Sequence, residues 1–306
     1  MTVAKPRVLV LLASFNGERF IEDQLSTIFH QYDVDVRVHV RDDGSTDATL
    51  RLLEAVRTNE PRLTIEPDDN RTTGSAAMNF ITMLTTTNFG NADYIALADQ
   101  DDLWLSGKLA RAVLQLSRNQ AAGYSANLSA FDDQGRRPPW LVLKHGPQRR
   151  YDYLFQGASA GCTYVLTRAA AERLRVWLCG VTFPINIGVS HDWIIYAFFR
   201  ANRLGWVCDD VAPILYRQHA NNVYGSRRGI ADLLARVRLL RDRWYRSHIV
   251  WLASQLELGE PDRLVARRVI RLSLLDRCWL FACAGQLRRR PADVLKLRLA
   301  LITGIF

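Results

Sequence analysis

The stretch Tyr94-Ile95-Ala96-Leu97-Ala98-Asp99-Gln100-Asp101-Asp102-Leu103-Trp104 decides how this 306-residue chain folds. Five apolar residues without a polar interruption read as a strand buried on both faces, as central strands of parallel sheets are. Three carboxylates at its C-terminal end then lie at the mouth of the sheet, where open α/β folds bind their ligands. Crowded acids repel unless a cation holds them. Hard divalent ions with oxygen ligands, Mg²⁺ or Mn²⁺, suit such a cluster and commonly bridge to substrate phosphates. An isolated Asp-x-Asp is more often a solvated acidic turn. The preceding strand and a second acidic cluster argue against that here.

Upstream, strand and helix patterns alternate. Val8 to Ala13 is a buried strand. Glu18 to Phe29 has helical spacing, with Phe20, Ile21, Leu25 and Ile28 on one side. Val34, Val36, Val38 and Val40 alternate along a second strand that ends in Arg41-Asp42-Asp43-Gly44-Ser45-Thr46-Asp47. Ser45 or Thr46 can cap a helix through Val56. Leu63 to Ile65 is a short strand, Gly74 to Met83 opens a helix, and Tyr94 to Ala98 is the fourth strand. This order implies a mostly parallel sheet with helices on both faces. Asp42 and Asp43 can accept from a pyrimidine N–H or a ribose hydroxyl, and the turn Ser14-Phe15-Asn16-Gly17 can flank a base.

The middle of the chain is less regular. Gly123 to Phe131 reads as a strand and Pro138 to Arg150 as a surface loop. A strand over Thr163 to Leu166 is followed by a helix from Ala169 to Leu178. His191-Asp192 opens a helix, and two strands follow at Trp206 to Cys208 and Ala212 to Tyr216. Gly157 to Cys162, with Gly161, can let backbone approach a ligand or form only a turn into the following strand. Trp104 and Trp193 can stack on a ligand ring, though core packing is the commoner fate of Trp. Beyond Gly225 the pattern is helical, with long helices over Ile230 to Leu258 and Leu264 to Leu287 and a last one over Pro291 to Ile302.

Composition narrows the function. Five cysteines without a Cys-x-x-Cys pair argue against a disulfide framework or a zinc knuckle and fit a reducing compartment. No apolar run is long enough to span a membrane, and the N-terminal residues lack the apolar core of a signal peptide. The net charge of +9 is concentrated late: residues 227–306 hold 17 Lys and Arg against 7 Asp and Glu. A basic tail of this kind points to an anionic surface. Leu272, Leu275, Trp279, Leu280 and Cys283, flanked by Arg271, Arg277 and Arg288-Arg289-Arg290, suggest an interfacial helix on a membrane rather than a nucleic-acid site, for which no motif is present.

Leu12-Ala13-Ser14-Phe15-Asn16-Gly17-Glu18, Arg41 to Asp47 and Asp99 to Trp104 together resemble family 2 glycosyltransferases of the GT-A fold, most closely the bacterial branch that includes rhamnosyltransferases of cell-surface polysaccharide synthesis. The resemblance covers residues 7–225 and is strongest over 8–110. It implies an α/β fold, GT-A, Rossmann-like with a mostly parallel sheet, as a catalytic domain over residues 1–225, followed by a basic helical extension over 226–306. It implies that Ser14, Asn16, Asp42, Asp43 and Asp99 contact the donor nucleotide. Asp101, with Asp99 and His219, would hold Mg²⁺ or Mn²⁺, and Asp102 would lie near the transferred sugar with Trp104, Gly161, His191 and Trp193. Asp192, which alone would read as a helix N-cap, would be the catalytic base. Tyr216-Arg217-Gln218-His219 and Asn221-Asn222-Val223 match a family segment that bears His219 and phosphate contacts.

The activity so implied is inverting transfer of a sugar from a nucleoside diphosphate, dTDP-rhamnose first and a UDP-hexose next, to a saccharide acceptor carried on a polyprenyl diphosphate. The enzyme is then expected in the cytoplasm, peripheral to the inner face of the membrane. The absence of a Gln-x-x-Arg-Trp signature argues against processivity. A nucleotidyltransferase would carry a Gly-rich basic loop after the first strand, where this chain has Ser14 to Glu18. A scaffold protein would have no need of Asp99, Asp101 and Asp192 together.

Overall fold

The computed structural model describes residues 4–67, 72–184, 188–219 and 243–306. The chain divides into two compact units that interleave in sequence.

The first unit comprises residues 1–145, 159–180 and 204–226. Its larger sheet has seven strands in the order β10-β6-β9-β4-β1-β2-β3. These are β1 (Arg7–Ser14), β2 (Asp35–Asp42), β3 (Leu63–Ile65), β4 (Tyr94–Asp99), β6 (Gly123–Ser125), β9 (Val165–Thr167) and β10 (Trp206–Cys208). β3, β2, β1 and β4 run parallel, while β9 lies antiparallel between β4 and β6. The helices α1 (Ile21–Phe29), α2 (Thr49–Asn59), α3 (Ala76–Thr86), α4 (Lys108–Arg118) and α5 (Arg168–Cys179) accompany it. A four-stranded sheet, β5-β11-β7-β8, is made of β5 (Leu103–Trp104), β7 (Leu128–Asp132), β8 (Trp140–Val142) and β11 (Ile214–Gln218).

β1 lies inside the sheet between β4 and β2, and Val8, Val10, Leu11 and Leu12 are all buried, which is why its sequence does not alternate. Val36, Val38 and Val40 fill one side of β2, facing Ile21, Leu25 and Ile28 in the same core cluster. The register sets the ends of three neighbouring strands level: Ala13 pairs with Asp99 on one side, and Ser14 with Asp42 on the other.

Several expected boundaries move for local reasons. α1 starts at Ile21, because the Gly17 carbonyl takes the N–H groups of Phe20 and Ile21 in a preceding turn. α2 starts at Thr49 rather than at Ser45 or Thr46. The Ser45 hydroxyl is engaged by Asp42 and by the Asn16 N–H, and Asp47 accepts the Thr49 N–H. Residues 123–131 form two strands in different sheets. Between them the Asn127 side chain accepts from the N–H groups of Lys144 and His145 and donates to the Asp210 carbonyl, which turns the chain. β8 interrupts the expected loop over 138–150, and α4 was not apparent from the sequence pattern.

The second unit comprises residues 146–158, 181–203 and 227–306. It contains α6 (His191–Ala201), α7 (Trp244–Gln255), α8 (Glu260–Arg271), α9 (Leu274–Ala282), α10 (Ala284–Leu287) and α11 (Pro291–Thr303). The start of the helix expected from Ile230 lies outside the described residues. The helix expected over Leu264 to Leu287 is broken at Leu272, whose φ is 51°. There Ser273 and Asp276 form a capping box, and Asp276 takes Arg268 and Arg271 as ion-pair partners. The five cysteines are free thiols. No helix among the described residues is long and apolar enough to cross a membrane.

Candidate active site

The parallel strands of the first unit deliver their polar ends to one rim. Asp42, at the end of β2, accepts hydroxyls from Ser14 at 2.6 Å and Ser45 at 2.7 Å, and the N–H groups of Gly44 and Ser45. Gly44 permits this turn with φ of 84°. Asp43 is buried. Its carboxylate accepts from the N–H groups of Thr73 at 2.6 Å and Gly74 at 2.9 Å and lies 3.1 Å from the Arg41 guanidinium. Asn16 sits in the left-handed region with φ of 49°, and its side chain accepts the Thr46 N–H.

Gln100, the unremarked middle residue of Asp99-Gln100-Asp101, latches two strand ends together. Its amide oxygen accepts the Phe15 N–H and its amide nitrogen donates to the Phe15 carbonyl, both at 2.8 Å. A Cβ on Gly17 would come within 2.3 Å of that side chain and would push the Gln100 amide aside. Phe15 itself is 54% exposed.

Asp101 and His219, far apart in sequence, meet: His219 Nε2 is 2.7 Å from Asp101 Oδ2, and the Phe20 ring packs on the imidazole. Arg217 fastens β11 to the acidic turn. Its backbone N–H donates to Asp102 and its Nε to the Asp101 carbonyl, while its guanidinium pairs with Asp133 and Asp23. No sequence motif marked Arg217 for this role; its partners come from three separate segments.

Two expected sugar contacts, Asp102 and Trp104, are buried. Asp102 is fully buried. Burial, then the charges of Asp101 and Asp99, raise its pKa well above the usual carboxylate range, and the Cys162 thiol faces it. It is a strut beneath the acidic turn. Trp104 is 3% exposed and carries Lys108 Nζ 3.4 Å above its ring. Lys108 has no hydrogen-bond partner among the described residues, and burial pulls its pKa down to about 7. Asp99, Asp102 and Cys162 bring ligand atoms within 4.8 Å of one another. Gly161 opens a buried 3-10 turn, Gly161–Thr163.

In the second unit, Asp192 occupies the first turn of α6. Its carboxylate accepts the Trp193 N–H at 2.7 Å and the Ser190 hydroxyl. Burial lowers the pKa of neighbouring His191. Trp193, also expected at the sugar, is buried. It is 4% exposed, donates its indole N–H to the Tyr153 carbonyl and packs against Tyr245 and His248. Asn221 to Val223 lie outside the described residues.

A carboxylate and an imidazole in contact at the rim form a donor set that suits a divalent cation of the Mn²⁺ type. Residues 9–173, more than half of the chain, match the family model described as Glycosyl transferase family 2. The chain belongs to that family. Across nearly its whole length it is also similar to the dTDP-rhamnosyl transferase RfbG of Shigella flexneri. The two are 33% identical over 96% of this chain and 100% of the relative. A putative teichuronic acid biosynthesis glycosyltransferase, TuaG of Bacillus subtilis, is 25% identical over 54% of this chain and 64% of its own. Among solved structures, TarS 1-349 of S. aureus in complex with UDP-GlcNAc superposes with a TM-score of 0.60 at 15% identity, covering 98% of this chain and 80% of TarS. The protein is a glycosyltransferase of the GT-A fold.

Proposed function

We propose that this glycosyltransferase moves rhamnose from dTDP-rhamnose, with inversion and with the help of a divalent cation, to a saccharide carried on a polyprenyl diphosphate for a cell-surface polysaccharide. The observation that carries the donor is the full-length similarity to a dTDP-rhamnosyl transferase. UDP-hexose use is the second reading, favoured by the fold shared with a UDP-GlcNAc complex.

In this mechanism the rim of the first unit binds the nucleotide, with Asp43, Asp42 and the Ser14–Asn16 turn at the nucleoside and Asp99 at the ribose. Asp101 and His219 are the residues that would hold the cation, with Asp99 beside them. When bound, the ion neutralises charge developing on the departing diphosphate. Asp192 takes the proton from the acceptor hydroxyl as that oxygen bonds to the anomeric carbon and the bond to the diphosphate oxygen breaks. Its hydrogen bonds from Ser190 and the Trp193 N–H aim the carboxylate. The residues named for these roles all lie within 1–225.

The basic tail is proposed to meet an anionic membrane by a face that only partly overlaps the one its sequence suggests. Leu280 is buried, and Arg277, Arg288 and Arg289 donate to backbone carbonyls. Exposed apolar residues there include Leu274 and Leu275 on α9 and Leu295, Leu299 and Ile302 on α11, with exposed Arg271, Arg290 and Lys296 nearby in sequence. Apolar stripes with basic neighbours suit an interface of acyl chains and anionic headgroups.

Calorimetry with dTDP-rhamnose and UDP-glucose, each with Mn²⁺ and with EDTA, tests the donor and the cation. Binding of dTDP-rhamnose that needs Mn²⁺, is lost in Asp101→Ala and survives in Asp192→Asn is the expected result. Tight binding of UDP-glucose alone overturns the donor, and binding indifferent to EDTA overturns the cation.

A further inference from the structure

Arg288 and Arg289 look like surface charge in the sequence, yet Arg289 is 7% exposed and its partner Asp152 is completely enclosed. Asp152 opens the 3-10 turn Asp152–Leu154. One carboxylate oxygen lies 2.9 Å from Arg200 and the other 3.3 Å from Arg289, while the Tyr196 hydroxyl reaches both at 3.2 Å. Two guanidiniums share one carboxylate, so Arg289 needs further acceptors to be tolerated in the interior. It finds them in the backbone, donating to the carbonyls of Gly157 and, at 2.9 Å, Ala158. Arg288 donates at 2.6 Å to the Phe155 carbonyl, which also receives the Tyr245 hydroxyl.

The loop fastened in this way lies against the residue proposed as the base. A Cβ on Gly157 would stand 3.3 Å from the Trp193 nitrogen and 3.5 Å from the Asp192 carbonyl carbon. That is the peptide whose N–H holds the Asp192 carboxylate. The same loop receives the Trp193 indole through the Tyr153 carbonyl. If the 152–158 loop retreats, the first turn of α6 loses the wall that sets its position.

We propose that Arg289, seconded by Arg288, is a positioning residue for the transfer step. The C-terminal segment fastens the 152–158 loop and thereby aims Asp192 at the acceptor hydroxyl; this rests on Asp192 being the base. The full-length protein is compared with Arg289→Met, Arg289→Lys, Arg289→Ala and Arg288→Met, with Asp192→Asn beside them. The readouts are kcat, acceptor KM, donor Kd and the thermal transition. A misplacement of about 1 Å at a reacting group can cost ~100-fold, so Arg289→Met is expected to lower kcat by about 30–100-fold with donor Kd changed less than about 2-fold. Arg289→Lys recovers only part of the loss, because an ammonium cannot fork between Asp152 and two carbonyls. Added guanidinium ion raises kcat of Arg289→Ala and not of the unaltered enzyme.

Wild-type kcat in a folded Arg289→Met, or a parallel loss of donor binding and thermal transition without guanidinium rescue, overturns the proposal. Should Arg289→Met fail to fold, Arg288→Met decides: it leaves the Asp152 pairs intact, and wild-type kcat there refutes the brace. An inactive Asp192→Asn beside a fully active Arg289→Met sinks the brace alone. An active Asp192→Asn sinks the base assignment, and the role given to Arg289 with it.

Discussion

His248 offers a prediction whose size follows from its surroundings. The ring is fully buried on α7, and neither nitrogen has a hydrogen-bond partner among the described residues. It lies 4.4 Å from Trp193, 5.2 Å from Trp244 and 5.4 Å from Trp251, measured between ring centroids. An aromatic box of this kind desolvates the imidazolium, and burial lowers the His248 pKa to about 4 against the opposing pull of Asp192. An unfolded histidine titrates near ~6.5, so the folded form refuses a proton that the unfolded form accepts. Stability from the neutral ring is therefore complete above pH ~6.5 and is lost as pH falls from there towards pH ~4, below which the loss levels off. The gap of roughly 2.5 units is worth about 3 kcal/mol in full, of which about 2 kcal/mol is gone by pH 5.

His248→Phe keeps the ring and removes the titration. Urea unfolding followed by tryptophan fluorescence, at pH 7 and pH 5, measures the difference between variant and wild type. At pH 7 the two should agree within about 1 kcal/mol, since the swap nearly conserves volume. At pH 5 the variant should be more stable than wild type by about 2 kcal/mol beyond any difference at pH 7. His191 also has a lowered pKa but is present in both proteins and cancels. Parallel stability curves across this range, or a His248 resonance titrating near pH 6.5, would refute the account.

Gln100→Ala cuts both hydrogen bonds to Phe15; it is expected to cost about 1–2 kcal/mol of stability and to raise donor KM several-fold with kcat little changed, as steady-state kinetics would show. Leu295→Glu with Leu299→Glu should abolish co-sedimentation with anionic vesicles while leaving transfer to a short soluble acceptor intact; unchanged vesicle binding would move the membrane contact elsewhere.

Much of the first unit was legible because its signals are local. Unbroken apolar runs at Val8 to Ala13 and Tyr94 to Ala98, the valine alternation of β2, and acids placed just past strand ends each state their structure within a few residues. The fold class followed from their order. The small sheet was less visible. Leu103–Trp104 and Trp140–Val142 are too short to carry a period, and the split of residues 123–131 depends on Asn127 meeting Lys144, His145 and Asp210.

What the sequence by itself determined was therefore the parallel α/β core, the three polar strand ends and the family. Tertiary structure decided which of the marked side chains are available. Asp102, Trp104 and Trp193 carry the right chemistry in the right places along the chain, yet packing encloses all three. Nothing local signals the roles of Gln100, Arg217 and Arg289 as the latch, the hub and the brace. Their partners are distant in sequence, so only the folded chain brings those charges and carbonyls within hydrogen-bonding range. Burial and ion pairing of this kind depend on three-dimensional neighbours, and the linear order of residues does not reveal them.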